Sequence, residues 1–351
     1  MTLEHRKSAF INLGKFLSQF KSAGNDASAD VKQNELFFND FVQLIKLSQS
    51  HNGWYTSEQV YFAIDSWANA LTEANLDKWL RTYDFDQVRP KTVALILAGN
   101  IPLVGFHDFL SVVISGHKAL VKTSSNDQHL LPFLAKYLVA IEPDLAEAIT
   151  FTKGQLTSFD AVIATGSNNT ARYFEYYFRD KPAVIRKNRN SAAVLTGNES
   201  EAELKALGED IFRYFGLGCR NVSKLFVPTG YNFDSFFNAM FRYKDVIEYE
   251  KYANNYDYNK AVFLMSNFKL LDNGFLTLKE DPSYASPISS VFYEYYDDLS
   301  SVASKLQADA EQIQCVVSNA IDNATPFGQT QKPELWDYAD NVDTIEFLVN
   351  L

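Results

Sequence analysis

Only two cysteines, Cys219 and Cys315, occur in 351 residues, and they lie far apart. There is no CxxC pair, so neither a disulfide framework nor a cysteine-built zinc site is indicated, and the two thiols suit a reducing, cytoplasmic compartment. Histidine is scarce as well. None of His5, His51, His107, His117 and His129 has the carboxylate or cysteine neighbours that zinc ligation needs. No GxGxxG follows a strand-like run and no GxxxxGKS/T is present, which removes the Rossmann fingerprint and the P-loop. Positive charge is in deficit. Thirty-two Lys and Arg stand against 43 Asp and Glu, a net charge of -11, which argues against general binding of nucleic acid or anionic membrane. The longest apolar stretch, 93–121, is broken by Asn100, Pro102, His107, Asp108, His117 and Lys118. It reads as strand, loop and helix, with no stable membrane insertion. The first 20 residues lack the apolar core of a signal peptide.

What remains is a chain with 46% hydrophobic residues, long enough for two domains with sizeable cores. The first 85 residues read as a helical layer. Phe37, Phe38, Phe41, Val42 and Ile45 recur at helical spacing, and Thr56 with Gln59 suggests a capping box. From Thr92 the pattern changes to short apolar runs alternating with helical segments. Strands are expected at 93–97, 119–122 and 161–164, with helices at 104–114, 127–141 and 168–178. A second alternating unit has strands at 192–195, 223–227, 288–293 and 312–317, and helices at 199–214 and 297–308. The aromatic-rich segment 231–258 fits neither pattern cleanly, and the tail 343–351 reads as a strand. These alternations predict α/β architecture with two doubly wound domains under an N-terminal helical layer. The polar run Arg186-Lys187-Asn188-Arg189-Asn190 marks the boundary. The expected division is 1–187 (helices plus a cofactor-binding α/β domain), 188–320 (a catalytic α/β domain carrying the cysteine) and 321–351 (a C-terminal return with an oligomerisation strand).

Four segments carry chemistry. Ala98-Gly99-Asn100-Ile101-Pro102-Leu103 ends the first buried strand. Gly116-His117-Lys118-Ala119-Leu120-Val121-Lys122-Thr123-Ser124-Ser125 spans the next. Ala164-Thr165-Gly166-Ser167 precedes a helix, where free N–H groups favour phosphate. Phe215-Gly216-Leu217-Gly218-Cys219-Arg220-Asn221-Val222-Ser223-Lys224 places glycines before a cysteine, so that the backbone can turn and approach a substrate. Arg220 and Lys224 are candidates for lowering the thiol pKa. Taken alone, Cys219 reads as an inert core cysteine, and so does Cys315, within the apolar run 313–317.

In this order the four segments resemble the acyl-CoA reductases of the aldehyde dehydrogenase superfamily. Weaker echoes are Ser286-Pro287-Ile288 and Thr325-Pro326-Phe327-Gly328. The resemblance implies an aldehyde dehydrogenase-like fold and a set of site residues. Cys219 is the implied nucleophile, and Asn100 with the Cys219 N–H the implied oxyanion hole. Lys122, Ser124, Ser125, Thr165, Gly166, Ser167 and Pro287 are the implied contacts of a nicotinamide cofactor. NADPH is preferred over NADH because Ser125 replaces a ribose-binding glutamate that would repel a 2′-phosphate. A second departure is Arg186, where hydrolytic relatives carry a water-activating glutamate. A third is Ser283 or Tyr284, near the expected nicotinamide-ribose glutamate. The resemblance therefore implies reduction of an acyl-CoA or acyl thioester to an aldehyde through a cysteinyl acyl-enzyme, with a homodimer as the candidate assembly. Three alternatives stay open from sequence: an aldehyde or semialdehyde dehydrogenase, an acyl-phosphate reductase, and a catalytically silent binding protein.

Overall fold

The computed structural model describes residues 1–266 and 268–351. The chain divides into two compact units. One comprises Met1–Lys187 with Glu334–Leu351, and the other Asn188–Pro333. Residues 321–351 therefore do not form one segment: 321–333 stay with the second unit and only the last 18 return to the first.

The first unit opens with helices α1 (Leu3–Leu17), α2 (Asn34–His51), α3 (Ser57–Ala70) and α4 (Glu73–Leu80). A two-stranded hairpin, β1 (Phe20–Lys21) and β2 (Gly24–Asn25), follows α1. Thr2, Thr56 and Thr72 cap α1, α3 and α4 by accepting from the N–H three residues on, which satisfies an otherwise orphaned donor. Apolar residues of these helices bury against the helices of the sheet. Phe16 stacks on Tyr137 at 4.2 Å and Phe41 on Phe133 at 5.0 Å.

Next come β3 (Thr92–Ile96), α5 (Phe106–Ile114), β4 (Lys118–Lys122), α6 (Leu130–Ile141), β5 (Ile149–Phe151), β6 (Ala161–Thr165), α7 (Asn168–Tyr177) and β7 (Ala183–Arg186). The five strands are all parallel, in the order β5-β4-β3-β6-β7. Val93, Ala94 and Leu95 are all buried. Such unbroken apolar runs follow from a parallel sheet covered on both faces. The broken apolar stretch 93–121 is β3, a loop, α5 and the start of β4, and none of the helices among the described residues is long and apolar enough to cross a membrane.

The second unit holds β8 (Asn190–Val194), α8 (Glu201–Phe212), β9 (Val222–Pro228), α9 (Asp234–Met240), α10 (Glu250–Met265), β10 (Leu270–Asp272), β11 (Thr277–Glu280), β12 (Ser290–Tyr296), α11 (Leu299–Ala308) and β13 (Ile313–Val317). Its sheet runs β10-β11-β12-β9-β8-β13, parallel except for β10. A full capping box, Ser200 with Glu203, starts α8. The aromatic-rich stretch after Tyr231 is helical, and its rings anchor it: Phe233 packs on Tyr293 at 4.9 Å and Phe215 on Tyr249 at 4.7 Å.

The strand expected over 343–351 is instead helix α12 (Thr344–Val349), capped by Asp343. Spacing decides the outcome. Ile345 and Leu348 are both fully buried. Three residues apart, they share one helix face, whereas in a strand they would point to opposite faces. Burying both contributes about 1.5–3 kcal/mol per side chain. No oligomerisation strand is therefore offered by this tail.

Candidate active site

In the first unit six of the expected cofactor residues and Asn100 gather at one end of the sheet. Asn100 follows β3; Lys122, Ser124 and Ser125 end or follow β4; Thr165, Gly166 and Ser167 end β6 and enter α7. Because these strands are parallel neighbours, all seven lie at their carboxyl ends. The chain leaves β3 toward β4 and leaves β6 toward β7, on opposite sides, so the gap between β3 and β6 is a switch point, where open α/β sheets bind ligands.

Packing fixes this edge tightly. A Cβ added to Gly99 would lie 2.8 Å from Ser124 Cβ, and one added to Gly166 would lie 3.0 Å from Thr170 Cβ. Ser167 caps α7, accepting from Thr170 N at 3.2 Å. The first turn of α7 carries no acidic residue, so its N-terminal field stays positive. These features fit the phosphates of a dinucleotide. Lys122 Nζ donates to Gly154 O at 3.1 Å, and Ser124 Oγ accepts from Asn126 N at 3.2 Å.

The loop bearing Asn100 is held from three sides. Asn52 Nδ2 donates to Gly99 O at 3.3 Å, and the Tyr55 hydroxyl donates to Ile101 O at 2.9 Å. Leu103 sits at φ 58°, in the left-handed region. Burial pushes the nearby Asp127 carboxyl up to about 6, against hydrogen bonds from the N–H groups of Leu103 and Leu130. Asn52, Tyr55 and Asp127 lie outside the motif and were missed from sequence.

Arg186, at the position expected for a water-activating carboxylate, is a buried structural staple. It is 4% exposed and grips Asp108 with two hydrogen bonds, Nε to Oδ2 at 3.1 Å and Nη2 to Oδ1 at 2.7 Å. It also donates to Ala339 O at 2.7 Å and Thr344 Oγ1 at 2.9 Å. A guanidinium cannot take a proton from water.

In the second unit Cys219 is exposed and Cys315 is buried. After α8 the backbone takes φ of 53°, 58° and 78° at Tyr214, Phe215 and Gly216. The two non-glycine residues each cost on the order of 1–2 kcal/mol there, so only firm surroundings retain them. Gly218 to Asn221 then form a turn closed by Asn221 N donating to Gly218 O at 3.0 Å. Cys219 occupies the second position of that turn. Ser191 Oγ, from the start of β8, donates to Cys219 O at 3.1 Å and accepts from Cys315 N at 3.1 Å. Arg220 Nη1 lies 3.3 Å from Cys315 Sγ.

Pro287 precedes β12 as Cys219 precedes β9, and these strands pair in parallel. Both therefore lie at the amino end of this sheet. Ser223 Oγ donates to Tyr284 O at 2.7 Å and ties the two approaches together. Of the two residues near the expected ribose ligand, Tyr284 is buried with its hydroxyl on Asp309 at 2.8 Å, and Ser283 is exposed. Lys224 corrects an expectation. It is fully buried, donates to Asp281 O, and pairs with Glu294 at 3.2 Å. Its ammonium is committed there, and burial lowers its pKa. The Thr325-Pro326-Phe327-Gly328 loop is anchored by Asp210, which accepts from Gly328 N at 2.7 Å and from Thr330 N and Oγ1 at 3.0 and 2.8 Å. Burial still pushes the Asp210 carboxyl up to about 6.

A sequence model of the family described as acyl-CoA reductase (LuxC) matches residues 32–236, more than half of the chain. This chain belongs to that family. The matched span takes in Asn100, Lys122, Thr165 to Ser167 and Cys219, but not Pro287. Over 231 residues the chain is 25% identical to a long-chain acyl-protein thioester reductase of Aliivibrio fischeri, covering 59% of this chain and 47% of that one. Over 221 residues it is 24% identical to long-chain acyl-protein thioester reductase 2 of Photobacterium leiognathi, covering 56% and 45%. The chain thus spans about half the length of the relatives it matches. Among solved structures it is similar to aldehyde dehydrogenase 21 of Physcomitrella patens, with a TM-score of 0.63 at 14% identity over 92% of this chain and 74% of that one. It is also similar to a putative aldehyde dehydrogenase from Burkholderia cenocepacia, with a TM-score of 0.64 at 11% identity over 92% and 76%. At such identities these likenesses show the fold: aldehyde dehydrogenase-like α/β architecture.

Proposed function

We propose that this protein reduces an acyl thioester to an aldehyde through an acyl group carried on Cys219. The observation that carries the reading is an exposed cysteine at the second position of a tightly fixed turn, within the span that matches the acyl-CoA reductase family. In this reading the Cys219 thiolate attacks the thioester carbonyl carbon. The Cys219 backbone N–H is the proposed donor to the oxyanion, and Asn100 Nδ2 is proposed as a catalytic amide donor, such a donor being worth about 2.7–4 kcal/mol in the transition state. The C–S bond to the carrier breaks, the carrier leaves as a thiolate, and the acyl group stays on Cys219. A reduced nicotinamide supplies the hydride when bound, with NADPH preferred because Ser125 offers no carboxylate to a 2′-phosphate. Lys122, Ser124, Ser125, Thr165, Gly166 and Ser167 are the proposed ribose and phosphate contacts, and Pro287 the proposed nicotinamide-side contact. Arg186, committed to Asp108, leaves this position without a base for water, which favours reduction over hydrolysis.

Intact-protein mass spectrometry after mixing with acyl-CoAs of graded chain length tests the reading. The expected result is a mass increase equal to one acyl group in the wild type, located on the peptide bearing Cys219, with none in Cys219→Ala. NADPH oxidation with acyl-CoA should vanish in the same variant. Undiminished turnover in Cys219→Ala sinks the proposal.

A further inference from the structure

The turn that carries Cys219 follows the carboxyl end of helix α8 after one tight turn, Arg213–Gly216. The last carbonyls of a helix lack intrahelical partners and present partial negative charge, which disfavours a nearby anion. Helix α8 ends at Phe212, seven residues before Cys219.

One side chain gathers these carbonyls. Asn221 is 2% exposed. Its Nδ2 donates to Asp210 O at 3.0 Å, Ile211 O at 3.3 Å and Arg213 O at 2.8 Å. Its Oδ1 accepts from Gly218 N at 2.8 Å, while its own N–H donates to Gly218 O at 3.0 Å. Three carbonyls on one side and an N–H on the other leave only one orientation for the amide. Asn221 thus closes the turn around Cys219 and Arg220 by main chain and side chain together, and its amide spans the strained residues Tyr214 and Phe215. Its carbonyl accepts from Ser191 N at 3.3 Å, so the turn is also fastened to β8.

We propose that Asn221 is the positioning residue of the cysteine turn, fixing the backbone that carries Cys219 and occupying the carbonyls at the end of α8 with its amide donors. The inference rests on the reading of Cys219 as the nucleophile. Asn221 touches no reacting atom and acts through the backbone of Gly218 and through the masked carbonyls. Side-chain chemistry sets the requirement. Aspartate has nearly the same shape but offers acceptors where donors are needed, so it faces three carbonyls with a negative charge. Alanine deletes the donors without adding charge.

The test is the rate of iodoacetamide alkylation of Cys219 as a function of pH, in a Cys315→Ser background so that one thiol reports. Asn221→Asp is expected to raise the apparent thiol pKa by about one unit, reducing the thiolate fraction near neutral pH about tenfold. Asn221→Ala should give a smaller rise in the same direction. Alkylation profiles of both variants that overlay the parent, with circular dichroism unchanged, overturn the inference. Where the variants fail to fold, hydrogen exchange on the unaltered protein decides. The Gly218 amide is expected to exchange at least tenfold more slowly than an open loop amide, and fast exchange there overturns the inference. Alkylation needs no acyl substrate. A shifted thiol pKa without acyl loading in the mass assay would leave this inference standing and remove the proposed activity.

Discussion

The two sheets carry their candidate residues at opposite strand ends, carboxyl in the first unit and amino in the second. In the first unit the candidate residues follow parallel strands and enter helices, so the site is rich in backbone N–H groups. In the second unit they precede strands, and Cys219 also follows the end of helix α8, whose last backbone groups are carbonyls. The first arrangement suits anionic phosphates with little further adjustment, as α7 with its Ser167 cap and no first-turn acid shows. The second is hostile to a thiolate and needs a correcting side chain, supplied by Asn221. The same α/β pattern therefore asks for small, closely packed residues at one end and a buried amide at the other.

The largest effect expected from breaking this contrast, after loss of Cys219 itself, comes from Arg186. Arg186→Leu leaves Asp108 buried without its cation and should destabilise the protein by about 3–5 kcal/mol. Urea denaturation measures it, and an unchanged midpoint contradicts the staple role. Asn100→Ala sharpens the contrast next, because it removes a side chain from the N–H-rich end and leaves the cysteine turn intact. It should lower kcat by roughly 10²–10³, about 2.7–4 kcal/mol, while Cys219 alkylation stays at the parent rate. Equal loss of alkylation would mean that Asn100 acts on the thiol.

The smallest effect is a pH dependence shared by the two anchoring carboxylates. Burial pushes both Asp127 and Asp210 up to about 6 from an ordinary value near 3.8. The folded state therefore holds their protons more tightly than the unfolded chain. The associated stability is fully present below about pH 4 and is lost as pH rises through about 6. The size is on the order of 3 kcal/mol for each group. Asp210→Asn should remove its share of that slope, so the stability difference between wild type and variant should shrink as pH climbs from 4 to 6. A difference that widens over this range contradicts the assignment.

Much of this could be read from residue order. Continuous apolar runs identified the buried parallel strands, because a strand covered on both faces has no polar alternation to hide it. Cys219 and Asn100 were visible as polar groups in glycine-bearing turns beside such runs. The supports were not visible, because their partners are backbone atoms distant in sequence. Asn221 stands inside the cysteine segment, between the more conspicuous cations Arg220 and Lys224. Lys224 lies on β9, where strand alternation turns its side chain inward toward Glu294, and Arg220 reaches Cys315. The usable signal was an uncharged amide two residues after the cysteine and just beyond a helix end. The tail was misread for a simpler reason: 343–351 is too short for its apolar residues to reveal a period without the three-residue spacing of Ile345 and Leu348.

Arg186 has one more consequence, for the order in which the molecule is made. Its guanidinium reaches from β7 to Ala339 and Thr344, more than 150 residues later in the chain. On the ribosome the entire second unit is synthesised in between. By then the second unit has all its own strands, while the first still lacks Ala339, Thr344 and helix α12. Truncation of the last 18 residues should therefore remove two of the hydrogen bonds of Arg186 and the buried Ile345 and Leu348, and lower the urea midpoint of the protein.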